Sequence, residues 1–218
     1  TPAETHIYSK QVVKELSLLQ GSSLKNVVVK IKGTNKKATG DVLFTHFGLS
    51  GPAIMHLSED IYDCLQNQKV ILQIPFGSLS RSEVEDFFNK SRTKNISILK
   101  TLEQCTTKRI ANLLLEKGKI QNKKINEISK NAIQKLKDAL LGYEITVDLV
   151  QDVTKAFVNK GGISTKELSP KSMEAKRISN LYCIGETVDL HGPIGGYNIT
   201  IALSTAVAAA KNIIKNNL

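Results

Sequence analysis

The sequence predicts an α+β chain built in three parts: a β-rich start, a small helical bundle, and a glycine-broken strand–loop–helix at the carboxyl end. Three observations predict it. Runs rich in β-branched residues (24–32, 38–44, 69–74) crowd the first eighty residues. Residues 80–140 hold no proline and a single glycine, Gly118, and their apolar residues recur at helical spacing. The stretch LYCIGETVDLHGPIGGYNITIALST (181–205) then sets a short apolar run ahead of Gly192, Gly195 and Gly196 and a helix of small residues. The boundaries that follow are 1–79 for the β-rich part, 80–145 for the helices and 146–218 for the carboxyl segment.

Residues 6–20 place Ile7, Val12, Val13, Leu16 and Leu19 at mixed spacings that suit a short amphipathic helix and leave a strand open. Gly21-Ser-Ser interrupts them. Residues 24–32 alternate as a strand, Gly33 to Lys37 make a polar turn, and Ala38 to Phe44 return as its partner. In FTHFGLSGPAIM (44–55), Ser50 can cap a helix with Pro52 in its first turn, where a missing N–H costs nothing. That helix would run to about Leu65, with Ile54, Leu57, Ile61 and Leu65 on one face. His56 falls mid-helix and reads as structural. Residues 69–74 form a further strand closed by Pro75 and Gly77.

Ser80 followed by Glu83 matches a capping box, and the sets Val84/Phe87/Phe88, Ile110/Leu113/Leu114 and Ile125/Ile128/Ile133/Leu136/Leu140 mark a bundle of about three or four helices. Gly142 ends them. Tyr143 to Val150 alternate as a strand, Ala156 to Val158 lead into the Gly161-Gly162 turn, and Leu181 to Ile184 read as a short buried strand.

Bulk composition narrows the function. Hydrophobic residues at 41% and charged residues at 23% are those of a soluble globular protein, and no apolar run reaches membrane-spanning length. Cys64, Cys105 and Cys183 are odd in number and show no metal-ligand spacing, which fits buried thiols in a reducing cytoplasm. The net charge of +10 raises nucleic acid as a partner. Counted in blocks of fifty the excess is spread out, it is nearly all Lys, and aromatics are 5% with no Trp, so base readout and stacking are disfavoured. The helical part invites comparison with a helix-turn-helix DNA reader but carries no Arg/Asn/Gln reading face. The chain opens with Thr1-Pro2 rather than Met, which predicts an excised piece of a longer protein.

The 181–205 stretch carries the sharpest chemistry. Gly185-Glu186 stands where an apolar run ends, as ligands do in open α/β sheets. Glycines before a helix let the backbone approach a ligand, and the helix's first N–H groups seat electron-rich atoms. A cofactor loop is one reading; an ordinary strand–loop–helix connection is the other.

FTHFGLSGPAI (44–54), Gly161-Gly162-Ile163, SPKSMEAK (169–176) and the 181–205 stretch resemble, in order and spacing across nearly the whole chain, the bacterial BaiN/YhiN-like FAD-dependent oxidoreductases, also described as aminoacetone oxidase-like or 3-dehydro-bile-acid reductase-like flavoproteins. The resemblance implies an FAD domain of Rossmann type interrupted by an insert with a β-barrel-like and a helical part. Residues 1–145 are similar to the insert and 150–218 to the returning segment of the FAD domain. No GxGxxG occurs here, so the amino-terminal half of the FAD domain would be a missing partner, and this chain alone would be inactive.

By the same resemblance, Gly185 and Glu186 approach the ribityl hydroxyls, and Gly161-Gly162 pass close to the isoalloxazine. Amides of Gly195, Gly196, Tyr197 and Asn198 would meet the flavin pyrimidine edge. Glu186 can instead be a capping acid, Asp189 can hold the loop or touch the ribityl, and Tyr197 can stack or pack. Thr200 replaces the family's usual Gln, which puts one flavin contact in doubt. Hydride would pass through FAD to or from a small-molecule substrate, with NAD(P)H as a possible donor and His46 and His191 as candidate proton-handling groups. The other reading is a non-catalytic binding module.

Overall fold

The computed structural model describes residues 1–217. The short strand β1 (Pro2–Glu4) leads to β2 (Ile7–Tyr8), the helix α1 (Lys10–Glu15) and a 3-10 turn at Ser17–Leu19. β3 (Ser23–Ile31) and β4 (Lys37–Phe44) pair as a hairpin, followed by β5 (Gly48–Ser50), α2 (Pro52–Leu65) and β6 (Val70–Ile74). Four helices come next: α3 (Arg81–Thr93), α4 (Ile98–Glu103), α5 (Lys108–Gly118) and α6 (Lys130–Gly142). β7 (Tyr143–Val147), β8 (Leu149–Val150), β9 (Val158–Asn159) and the long α7 (Tyr197–Asn217) complete the chain. It is an α+β architecture, and all its strand ladders are antiparallel.

Seven strands form one sheet in the order β7-β6-β3-β4-β5-β2-β8. Its edge strands, β7 and β8, are consecutive in the chain and separated only by Asp148, yet no ladder joins them. The expected barrel is therefore an open sheet. The reason lies in α1, whose side chains occupy the seam. Ser9 donates to the Thr146 carbonyl (2.7 Å), Gln11 donates to the Glu144 carbonyl (3.1 Å) and accepts from the Thr146 amide (2.9 Å), and the Lys10 amide donates to Asp148 (2.6 Å). Side chains thus satisfy edge groups that a ladder would otherwise satisfy.

Alternation in β3 (Val27, Val29 and Ile31 buried) and β6 (Val70, Leu72 and Ile74 buried) turns one face of the sheet onto α2 and the bundle. A continuous core runs from Ile7 to Val147 and includes Phe44, Phe76, Phe88, Leu113 and Leu140. The bundle helices share one device. Ser80, Ser97, Thr107 and Ser129 stand at the N-caps of α3 to α6, each accepting from the amide three residues on, and Ser80 with Glu83 completes the capping box.

Two further sequence expectations fail. Ser50 does not cap α2. Gly51 (φ 98°) holds that position, because an added Cβ would lie 2.5 Å from the Asp41 carbonyl oxygen, while Ser50 closes β5 and bonds His6 Nδ1 at 2.8 Å. Leu181 to Ile184 are not a buried strand: Leu181 and Ile184 are exposed, and the segment makes only an isolated bridge, Glu174 to Tyr182. No parallel sheet among the described residues offers it a neighbour. Beyond Val158, a separate small cluster (Leu168, Met173, Cys183, Val188, Ala209) packs the carboxyl segment against α7. No helix among the described residues is long and apolar enough to cross a membrane.

Candidate functional site

The loop ahead of α7 is built by its glycines. Gly195 (φ 113°) and Gly196 (φ 99°) take left-handed conformations that L side chains rarely adopt, and nothing lies within 4 Å of a Cβ placed on either. Asn198 bonds reciprocally with Gly192, accepting from its amide (2.9 Å) and donating to its carbonyl (2.7 Å), which closes the loop on itself. Thr200 is the first residue whose amide bonds back, to Gly196 O at 3.0 Å. The amides of Tyr197 to Ile199 therefore begin the helix without acceptors of its own. Beside them opens a concavity of about 440 Å³, lined by Glu186, Gly195, Gly196 and Asn198 with apolar walls from Phe157 and Ile199.

Glu186 reaches this opening from a 3-10 turn at Gly185–Thr187 and makes no hydrogen bond or ion pair among the described residues. Gly185 (φ 62°) is anchored to α7 by its amide, which donates to Thr205 Oγ1 at 3.0 Å. Gly162 sits in a tight passage between chain segments. A Cβ there would lie 2.6 Å from the Thr187 carbonyl oxygen, so the glycine serves close passage of two chain segments, which bond through Ile163 N to Thr187 O (2.8 Å) and Asp189 N to Ile163 O (2.9 Å). Gly161 (φ 109°) faces open space, and the Asp189 and Tyr197 side chains are exposed.

Behind the loop lies a charged cluster that ties it to the β-rich part. His191 Nε2 sits 3.3 Å from Glu59 Oε2 on α2, and Lys160 ion-pairs with the same carboxylate. Burial works against ionised Glu59, but Lys160 and then His191 outweigh it and hold the carboxyl below its usual range. Glu4, on β1, is 6% exposed and its Oε2 has no hydrogen-bond partner. Burial raises its pKa to about 7; the Ile194 amide pulls downward and the Glu59 charge pushes further up. Sequence reading missed Glu4 because Pro-Ala-Glu-Thr carries no signal. Its burial arises when β1 pairs with β9, about 155 residues away in the chain.

His46 is exposed at the β4–β5 turn and does not line the opening. A row of rings connects the two places. His46 meets Phe47 (5.0 Å between centroids), Phe47 meets His6 (5.5 Å), and His6 meets Phe157 (5.4 Å) at the opening's wall. Burial lowers the His6 pKa. FTHFGLSGP holds two of these four rings, and His6 and Phe157 join only in three dimensions. Among the described residues no group of His, Cys, Asp and Glu could hold a metal ion.

The antiparallel sheet and capped helices thus lead into a glycine-rich turn, a long helix and an opening at that helix's start. Residues 1–158 match the HI0933-like protein barrel and H2TH domain, and the chain belongs to that family. It is 33% identical over 206 residues to a ribosomal RNA dihydrouridine synthase of Haemophilus influenzae, covering 94% of this chain and 49% of that one. It is 31% identical over 207 residues to the Escherichia coli protein of the same name, covering 94% and 50%. A 3-dehydro-bile acid delta(4,6)-reductase of Clostridium scindens is 27% identical over 178 residues, 79% of this chain and 44% of that one. The chain spans about half the length of the curated relatives it matches.

Proposed function

We propose that this chain is the insert and carboxyl-terminal portion of an FAD-dependent reductase whose substrate is a uridine of ribosomal RNA, reduced to dihydrouridine. One observation carries the cofactor assignment: a concavity lined by Gly195, Gly196 and Asn198 opens at the start of α7, where the first amides have no acceptor within the helix. The substrate rests on two relatives of that printed activity, each alike over 94% of this chain.

The residues present fit one end of a flavin. Amides of Gly196, Tyr197 and Asn198 would hold its electron-rich edge and stabilise negative charge there, and Glu186, without a partner among the described residues, would accept hydrogen bonds from ribityl hydroxyls. A flavin supplies hydride transfer when bound. The chain's own part is to orient the cofactor and to exclude water with Phe157 and Ile199, while the His191–Glu59 contact fixes the loop behind the opening. The rest of the cofactor would be held by the amino-terminal half that the relatives' greater length implies, seated on the apolar residues α7 leaves exposed: Ile199, Leu203 and Val207, at 67%, 64% and 51%.

The test compares full-length protein with residues 1–218 alone. The full-length protein is expected to be yellow and to restore dihydrouridine to ribosomal RNA in cells lacking the gene; the shorter chain is expected to be colourless. A colourless full-length protein overturns the cofactor, and unchanged dihydrouridine in the deletion overturns the substrate.

A further inference from the structure

Grouped by structural element, the positive charge is no longer diffuse. Residues 81–142 carry fourteen Lys and Arg against seven Asp and Glu, which is +7 of the chain's +10. Within this part, the loop after α3 and the loop after α5 are zipped together. Ile98 N donates to Lys123 O (2.9 Å), Ile125 N donates to Ile96 O (2.9 Å), Ser97 and Lys124 form an antiparallel bridge, and the Leu99 amide donates to Asn122 Oδ1 at 3.3 Å. Neither 94–102 nor 117–126 contains an acidic residue. The ribbon presents Lys94, Lys100, Lys119, Lys123 and Lys124, all exposed, and none of them is ion-paired among the described residues.

We infer that this ribbon is a docking surface for double-helical RNA, held by its phosphates. The inference rests on RNA being the substrate and adds where and how it is gripped. Five exposed ammonium groups, none ion-paired among the described residues although Glu103, Glu116 and Glu127 flank the ribbon, suit a polyanion, and Lys acts on phosphate as a point charge. Duplex is favoured over single strand because single strands are gripped by stacking on aromatic rings. The only aromatics in 81–142 are Phe87 and Phe88, one half-buried and the other buried. Docking of this kind is tolerant of sequence, so the choice of uridine falls to the opening beside α7 and not to the helices.

The test uses full-length protein and fluorescence anisotropy with an RNA duplex of about 20 base pairs, the corresponding single strand, and vesicles of phosphatidylglycerol. The triple variant Lys94→Glu/Lys123→Glu/Lys124→Glu is expected to lose about tenfold or more in duplex affinity at about 0.1 M salt and to flatten the salt dependence by two to three phosphate contacts. Lys14→Glu/Lys37→Glu/Lys69→Glu makes the same charge change on exposed sites elsewhere and is expected to stay within about twofold. Equal losses in both triples would reduce the effect to net charge and overturn the surface. So would an unchanged ribbon triple, tighter binding of the single strand, or a loss confined to the vesicles. Because binding is read without turnover, the surface can stand while the dihydrouridine assignment falls; full activity with an unweakened ribbon variant would sink the surface alone.

Discussion

His191 Nε2 lies 3.3 Å from Glu59 Oε2, joining the loop ahead of α7 to a helix of the β-rich part more than 130 residues earlier. Glu59 also pairs with Lys160, so one carboxylate fastens two points of the carboxyl segment. Glu59→Gln removes the charge while keeping the shape. It is expected to cost about 1 kcal/mol, the range of partly exposed pairs, and to weaken flavin retention by the full-length protein several-fold. Urea unfolding and a flavin titration read the two effects. Loss of stability with undisturbed flavin affinity would confine the pair to a structural role.

Glu4 predicts a pH dependence of opposite sign to the ion-paired carboxylates. Its carboxyl has a pKa of about 7 in the fold against an ordinary 4.5, so the folded state holds its proton more tightly. The stability carried by the neutral form is complete below pH 4.5 and is lost as pH rises through 7. A shift of this size corresponds to about 3 kcal/mol. Glu4→Gln is therefore expected to match the parent near pH 4 and to exceed its unfolding free energy by up to about 3 kcal/mol at pH 8. Parallel stability profiles for the two proteins would show that Glu4 ionises without penalty.

Two glycines of the site separate on the same substitution. Gly162→Ala would place a Cβ 2.6 Å from the Thr187 carbonyl oxygen at a φ of 134°, so backbone must move, and a loss of about 3 kcal/mol or more is expected. Gly195→Ala meets nothing within 4 Å and bears only the cost of its left-handed backbone, about 1–2 kcal/mol. In full-length protein the order should reverse for flavin binding, since the methyl group of Gly195→Ala projects into open space at the concavity. Thermal melts and flavin titrations of the pair are the measurements. Equal stabilities would mean that the Gly162 passage can relax.

The sequence made the bundle legible because each helix carries its own start signal, a Ser or Thr cap, and a 3.6-residue apolar repeat. β3, β4 and β6 were legible by their alternation. What stayed hidden is non-local. β1 and β9 are three and two residues long, too short to show a period, and about 155 residues separate them. The burial of Glu4 follows from that pairing and was hidden with it. Ser50 has every mark of an N-cap, but the tight approach of Gly51 to Asp41 moves the helix start by one residue and releases the hydroxyl to His6. Leu181 to Ile184 have the composition of a core strand, and composition alone does not say whether the sheet that would bury them lies within the same chain. The glycine loop was legible as a backbone device, while the cluster of Glu59, Lys160 and His191 behind it needed the fold.

The exposed face of α7 gives the sharpest test of the proposed amino-terminal half. Leu203 is 64% exposed, between Ile199 and Val207 on the same side of the helix. In residues 1–218 alone, Leu203→Ser removes little buried surface, so the unfolding free energy should move by no more than about 0.5 kcal/mol while self-association falls in sedimentation. In the full-length protein the same side chain would be covered, and the substitution should cost about 1.5–3 kcal/mol, the value of burying a leucine. The contrast is the informative quantity. An equal, large loss in both proteins would mean that Leu203 already packs within this chain, and an equal, negligible loss would mean that nothing in the longer protein covers the helix.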